Sequence, residues 1–390
     1  MTKLEQLIQE LCPDGVEYQS LGEVTIIKTG SKPKDISDNP TDIEYINAGT
    51  SNSGYTFTSN CEGNTVTTPS RGQGGIGYVG YQKNAFWLGP LCYKIRSKDE
   101  MLLNNKFIYY YLSCHNKQIL QFKNEGGTPS INSSDLSRIR IVIPPLEVQA
   151  EIVRILDSFT ELTAELTAEL TARKKQYEYY CNQLCTFNKR EKLFYSTLRL
   201  GDIASFTYGY TDKAKDDGDT RFIRITDITE NGTLNREGAK YITINSESKK
   251  YLLKQGDLLM ARTGATFGKT LYVPDNSPAV YASFLIKIEL DNSVLLNRFY
   301  WHFAQSAKYW EQANNLVSTG GQPQFNTNAV KRVSVPVPPL AEQERIVKIL
   351  DRFEKLCNDI SDGLPAEIEA RQKQYEYYRD KLLTFKELQK

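Results

Sequence analysis

GGTPSINSSDLSRIRIVIPPL (126–146) and GGQPQFNTNAVKRVSVPVPPL (320–340) are two copies of one segment, 194 residues apart. Each passes straight into a helical pattern. QAEIVRILDSF (149–159) matches QERIVKILDRF (343–353) at the same offset, and RKKQYEYYCNQLCTF (173–187) matches RQKQYEYYRDKLLTF (371–385) at an offset of 198. Ten of those last fifteen positions are identical. The repeat sets the order of the chain: a variable block, a helix, a second variable block, a second helix. LGEV (21–24) with LGDI (200–203), and NKFIYYYL (105–112) with NRFYWHF (297–303), carry a weaker match into the blocks. Residues 31–104 and 210–296 share little. The helices therefore share one task, while the blocks share a fold and differ in specificity.

Pro144-Pro145 and Pro338-Pro339 end an extended run where a helix can begin. Large or apolar residues follow at Ile152, Ile155, Phe159, Leu162, Leu166, Leu170, Tyr177, Tyr180, Leu184 and Phe187. Their spacing alternates between 3 and 4, the pattern of a coiled-coil seam. Across Leu162, Leu166 and Leu170 it becomes 4 and 4, a local stutter. That stutter lies in ELTAELTAELTA (161–172), three copies of a four-residue unit, each about one helical turn. The second helix continues the seam at Ile346, Ile349, Phe353, Leu356, Ile360, Leu364, Ile368, Tyr375, Tyr378, Leu382 and Phe385. It is four residues longer, and Gly363 and Pro365 predict a kink or break. A helix from 146 to 187 is roughly 63 Å long, and its apolar stripe needs a partner. The other copy, antiparallel within the same chain, is the expected one; pairing between two chains is the alternative. Leu4, Leu7, Ile8 and Leu11 predict a short N-terminal helix that stops at Pro13 and packs beside the end of the second long helix.

The blocks hold short β-like runs such as YITINSES (241–248), DLLMARTG (257–264), TLYVP (270–274) and FLIKIEL (284–290). Each adds one helical stretch, 104–123 or 295–315, so the fold class is α+β with two similar β-rich blocks. Two motifs suggest phosphate binding and fail on context. GQGGIG (72–77) fits a dinucleotide fingerprint, but the strand-like YVGYQKNAFW follows where a helix should open. GATFGKT (264–270) has three residues between its glycines where a Walker A loop has four, and LYVP follows it.

These loops suit a surface that meets a polyanion. Arg and Gln reach base edges bidentately, whereas Lys, Ser, Thr and backbone N–H groups suit phosphate contacts. The candidates are Lys32, Lys34, Arg71, Gln73, Thr128 and Ser130 in the first block. In the second they are Lys213, Arg221, Arg262, Thr263, Lys269, Gln322 and Gln324. Polar turns without a ligand are the plainer reading of any single one. The net charge is only +1, but residues 20–145 and 196–339 each carry +3 and the remainder −5. His115 and His302 are the only histidines and sit in no metal-ligand pattern, which argues against a zinc site or a His-based catalytic triad. Seven scattered cysteines without a C-x-x-C pair suggest reduced thiols. No apolar run approaches a membrane span and the start has no apolar signal core, so a cytoplasmic location is expected.

IPPLEVQAEIVRILDSF, VPPLAEQERIVKILDRF, ARKKQYEYY, ARQKQYEYY and the ELTA repeat together resemble the specificity subunit of type I restriction–modification systems. The similarity runs over nearly the whole chain; LGEV, LGDI and MARTGATFGK fit more loosely. The resemblance implies an N-terminal helix (1–19), two target-recognition domains (20–143 and 196–337) and two helical spacers (144–195 and 338–390). Each recognition domain would read half of a bipartite double-stranded DNA site. The antiparallel helices would form an intramolecular coiled coil, with Phe159, Leu162, Leu166, Leu170, Tyr177, Phe353 and Tyr375 as seam candidates. That coiled coil would dock two methyltransferase (modification) subunits, with restriction (endonuclease) subunits completing the complex. The chain itself would hold no catalytic residue, metal or cofactor; S-adenosylmethionine, ATP and Mg²⁺ would belong to the partners. The competing classes are a coiled-coil scaffold without DNA specificity and a standalone DNA methyltransferase or nuclease. The family does not carry DNA-contacting positions over residue by residue, because its recognition domains vary most.

Overall fold

The computed structural model describes residues 2–40, 42–124, 126–186, 195–318, 321, 323–358 and 363–388. Contacts divide the chain into two units, Met1–Leu166 with Ile368–Lys390, and Thr167–Glu367. Each unit therefore combines one variable block with pieces of both long helical regions.

In the first unit, a four-stranded antiparallel sheet runs in the order Thr25–Thr29, Cys92–Ser97, Thr65–Pro69, Gly80–Gln82. A three-stranded sheet sets Ile43–Ile46 between Tyr55–Thr56 and Trp87–Leu88, and Glu17–Ser20 pairs with Arg140–Ile143. The second unit repeats this strand for strand. Its larger sheet runs Ala204–Tyr208, Leu285–Leu290, Leu258–Ala261, Thr270–Tyr272. Thr220–Ile223 lies between Tyr241–Ile242 and Ala279–Tyr281, and Ser196–Arg199 pairs with Ser334–Val337. The sheet strands are short and interrupted by turns, as the Gly-, Asn- and Ser-rich spacing predicts. A strand (Thr270–Tyr272) follows GATFGKT where a phosphate loop would open a helix.

The stretches read as helical break into pairs: Asn105–Cys114 with Asn116–Gln121, and Asn297–Phe303 with Ala307–Leu316. Phe107, Ile108 and Leu112 in one, and Phe299, Trp301 and Phe303 in the other, are buried under the sheets.

Leu146–Thr186 is one helix of 41 residues. The Pro145 carbonyl accepts from the N–H groups of Val148 and Gln149 (both 3.0 Å), so the proline pair closes the strand and starts the helix. Pro339 does the same for Glu342 and Gln343, at 2.8 and 3.0 Å. The second helical region is two helices, Leu340–Asn358 and Leu364–Leu382. Pro365 sits in the first turn of the latter, where no intrahelical N–H is required. Residues 359–362 are outside the described set, as are the seam positions Ile360 and Phe187. The N-terminal helix is Lys3–Leu11, opened by a Thr2–Glu5 capping box. Its Leu4 and Ile8 line a groove with Ile155, Phe159, Tyr378, Leu382 and Phe385, beside the end of the second region as expected.

Within each unit the helices meet antiparallel, through equivalent contacts. Phe159 stacks on Tyr378 in the first unit, with ring centroids 5.6 Å apart. Tyr180 stacks on Phe353 in the second, at 5.4 Å. Tyr177 turns its hydroxyl to His302 and also lies near Glu354 of the second helical region, and Tyr375 packs against the core of the first unit near Asp157, so both seam candidates meet a β-rich block as well as the other helix. Ile152 is likewise core. Leu162, Leu166 and Leu170 are half-buried.

Candidate nucleic-acid interface

The two sets of glycine loops that the sequence singles out are joined in each unit by matching bonds. In the first, Gly72 N–H donates to the Pro129 carbonyl (2.9 Å), Ser70 N–H to Leu91 (2.9 Å), and Ile131 N–H to Ser70 (2.9 Å). In the second, Gly264 N–H donates to Pro323 (3.1 Å), Arg262 N–H to Phe284 (3.1 Å), and Phe325 N–H to Arg262 (2.7 Å). Gly72 and Gly264 have φ of +129° and +71°, a backbone that side chains rarely adopt, which explains the glycine at this turn. Bridges Arg71–Ser130 and Thr263–Gln324 complete the match.

The structure thus brings Arg71 and Ser130 together, with Gln73 and Thr128 on the same paired loops; Arg71, Gln73 and Thr128 are exposed. It also brings together Arg262, Thr263 and Gln324. Thr263 is a correction to the solvent-facing set. It is 2% exposed, its hydroxyl donates to the Pro323 carbonyl, and it accepts from Gln324 Nε2 at 2.9 Å. The pair braces the turn. Gln322 lies outside the described residues. The remaining candidates lie on other segments. Lys32, Lys34 and Lys213 are exposed in the equivalent loops after Thr25–Thr29 and Ala204–Tyr208. Arg221 is half-buried on a strand with its guanidinium on the Asn235 carbonyl, and Lys269 pairs with Glu230 at 3.2 Å. Those two are committed to contacts within the unit.

Sequence reading missed Tyr208 and Phe284, whose exposed rings flank the Arg262 guanidinium at 5.2 and 5.4 Å from ring centroid to Cζ. It also missed the residues that fix each block on its helix. Gln149 is fully buried: its Nε2 donates to the carbonyls of Leu102 (2.9 Å) and Pro144 (2.7 Å), and its Oε1 accepts from Asn104 N–H (2.8 Å). Gln343 does the same with Val294 (2.9 Å), Pro338 (2.8 Å) and Leu296 N–H (2.9 Å). Eight residues on, Asp157 accepts from Tyr110 (2.6 Å) and pairs with Lys106 (2.8 Å). Its counterpart Asp351 meets His302 Nε2 (2.8 Å) and Arg298 (2.7 Å). His302 Nδ1 lies 3.0 Å from the Tyr177 hydroxyl, so a neutral ring donating from Nε2 satisfies both neighbours. Burial holds the His302 pKa down at about 4, against the opposing pull of Asp351. The signal was present in sequence: both Gln and Asp recur at the 194-residue offset.

All seven cysteines are free thiols. Among the described residues, no cluster of three or more His, Cys, Asp or Glu is placed to hold a metal, and no helix is long and apolar enough to cross a membrane.

The family model for the type I restriction modification DNA specificity domain matches the chain twice, at residues 13–173 and 195–370. The chain is 34% identical over 408 residues to a putative type I restriction enzyme specificity subunit of Haemophilus influenzae, covering 98% of each. It is 34% identical over 321 residues to a type I restriction enzyme specificity subunit of Escherichia coli, covering 75% of this chain and 73% of that one. Among solved structures, the type I restriction-modification S subunit from M. genitalium has a TM-score of 0.65 at 18% identity, covering 95% of this chain and 96% of that one. A chain from a structural study of type I system assembly and conformational transition gives 0.58 at 14%, covering 95% and 98%. Both likenesses concern the fold.

Proposed function

The chain belongs to the type I restriction modification DNA specificity family, and from that premise we propose that it reads a bipartite DNA site for a methyltransferase–nuclease complex. Each unit takes one half of the site on its paired glycine loops. Arg71, Gln73, Thr128 and Ser130 serve the first half, and Arg262 the second; the exposed Lys32, Lys34 and Lys213 approach phosphates. The helices hold the units and dock two modification subunits, to which restriction subunits add. The chain contributes recognition and no bond-making step. S-adenosylmethionine, ATP and Mg²⁺ act on the partner subunits.

One observation carries the reading. The two units share strand order, loop bonds and helix anchors, yet the residues on the paired loops differ. A scaffold that bound only protein would gain nothing from two equivalent frames with different loop chemistry. The test is a mobility shift with the chain alone and with its modification subunits. Sequence-selective binding in the complex, weakening steeply with salt, is the expected result. Absence of selectivity in the complete complex would favour the scaffold, and methylation or cleavage by the chain alone would make it an enzyme.

A further inference from the structure

The Arg262 side chain is half-buried and held by its neighbours. Its backbone is pinned on both sides by Phe284 and Phe325, and its Nε donates to the Ser283 carbonyl at 3.1 Å. The guanidinium lies over the rings of both Tyr208 and Phe284, 42% and 51% exposed, whereas Tyr300, Trp301, Phe303 and Tyr309 of the same unit are buried. The Tyr208 hydroxyl is tied to Thr327 Oγ1 at 3.1 Å, which fixes that ring. Arg224, Lys269, Lys287 and Arg298 all face carboxylates. Among the described residues, no carboxylate pairs with Arg262. The two rings restrict the guanidinium while leaving its charge unneutralised by any acid, an arrangement that suits a planar, electron-rich ligand edge.

We infer that Arg262, clamped by Tyr208 and Phe284, reads a guanine in the half-site bound by the second unit; the inference rests on the DNA-reading function proposed above. With Nε spent on Ser283, the two terminal nitrogens remain. Their spacing matches guanine O6 and N7 in the major groove. Phosphate attraction needs charge alone, whereas bidentate base reading gains from a fixed plane, because less ordering remains to be done on binding. The first unit places Ser70 at the equivalent backbone position, between the matching bonds to Leu91 and Ile131. This particular contact therefore has no counterpart in the first unit.

The test uses the complete complex in cells, with methylated sites mapped for the unsubstituted chain, Arg262→Ala and Arg262→Lys. In the unsubstituted complex, one half-site has a G·C pair where Arg262→Ala loses discrimination roughly ten- to hundredfold. The other half stays unchanged, which also reports that the chain is folded. Arg262→Lys keeps the charge and leaves the discrimination lost. Full discrimination with lysine would overturn the inference in favour of a phosphate contact. A uniform fall in methylation at an unaltered motif, a change in both halves, or a motif with a half lacking G·C at the affected position would overturn it too. In each of these the unsubstituted complex still methylates a bipartite site. Failure of the DNA-reading function gives a different result: no bipartite methylated site at all.

Discussion

Deleting Thr167–Leu170 removes one four-residue unit from ELTAELTAELTA and leaves the flanking sequence in register. The perturbation falls inside a continuous helix, Leu146–Thr186, and at the boundary between the two units, which lies after Leu166. Four residues at 1.5 Å and 100° each shorten the helix by about 6 Å and turn its distal part by about 40°. DNA advances about 3.4 Å per base pair, so the loss corresponds to one or two base pairs. No recognition loop is touched. Thr167, Ala168 and Glu169 are exposed and Leu170 is half-buried, so the stability change should stay within about 1 kcal/mol. The assay is methylated-base sequencing of cells carrying the complex, alongside thermal unfolding of the purified chain. Both half-site sequences should persist while the unspecified gap between them shortens by one or two base pairs. A folded variant with altered half-sites, or with an unaltered gap, would refute the idea that this helix sets the spacing.

Gln343→Leu strips partners from Leu296 N–H and the carbonyls of Val294 and Pro338 in a fully buried setting. It should cost about 3 kcal/mol, seen as a lower urea midpoint, while the exposed Arg345→Ala stays near zero. His302 yields a pH dependence. The unfolded chain takes up its proton near pH 6.5, while the folded chain resists until about 4. Its contribution is therefore full above pH 6.5 and falls as pH drops from 6.5 to 4, by up to about 3 kcal/mol. His302→Gln should flatten that part of the stability profile; an equally steep profile in the variant would show that another group titrates. Tyr179 and Tyr377 occupy the same place in the two QYEYY copies and are 59% and 63% exposed. Replacing both with Ala should leave the unfolding temperature nearly unchanged and weaken capture of the modification subunits, measured by co-purification. Undiminished capture would place the docking surface elsewhere.

The large-scale order of the chain was legible because the repeat is written almost literally. The 194-residue offset marks the strand–helix junctions, the proline pairs mark the helix starts, and Gly363 with Pro365 marks the break in the second region. What escaped was the facing of the helices. A seam rule seeks one stripe at spacings of 3 and 4, but each helix buries two stripes. Val148, Ile152 and Leu156, or Cys181 and Cys185, repeat every fourth residue and face a β-rich block. Phe159, Tyr180, Phe353 and Tyr378 face the other helix. Tyr177 and Tyr375 fit the seam by spacing and sit at the edge of both stripes, meeting a β-rich block and the other helix together. Glycines and small polar residues located the paired loops, since the positive φ at Gly72 and Gly264 is a local demand. The clamp around Arg262 was invisible because Tyr208 and Phe284 are brought to it by strand pairing across 54 and 22 residues, which no local pattern encodes.

The central claim is that two units of one fold read two separate half-sites. Single-molecule sequencing of DNA from cells that carry the complete system tests it most directly. The account predicts methylation at a motif of two short specified segments separated by a fixed unspecified gap, absent when this chain is deleted. A single continuous motif, or methylation unaffected by the deletion, would contradict it.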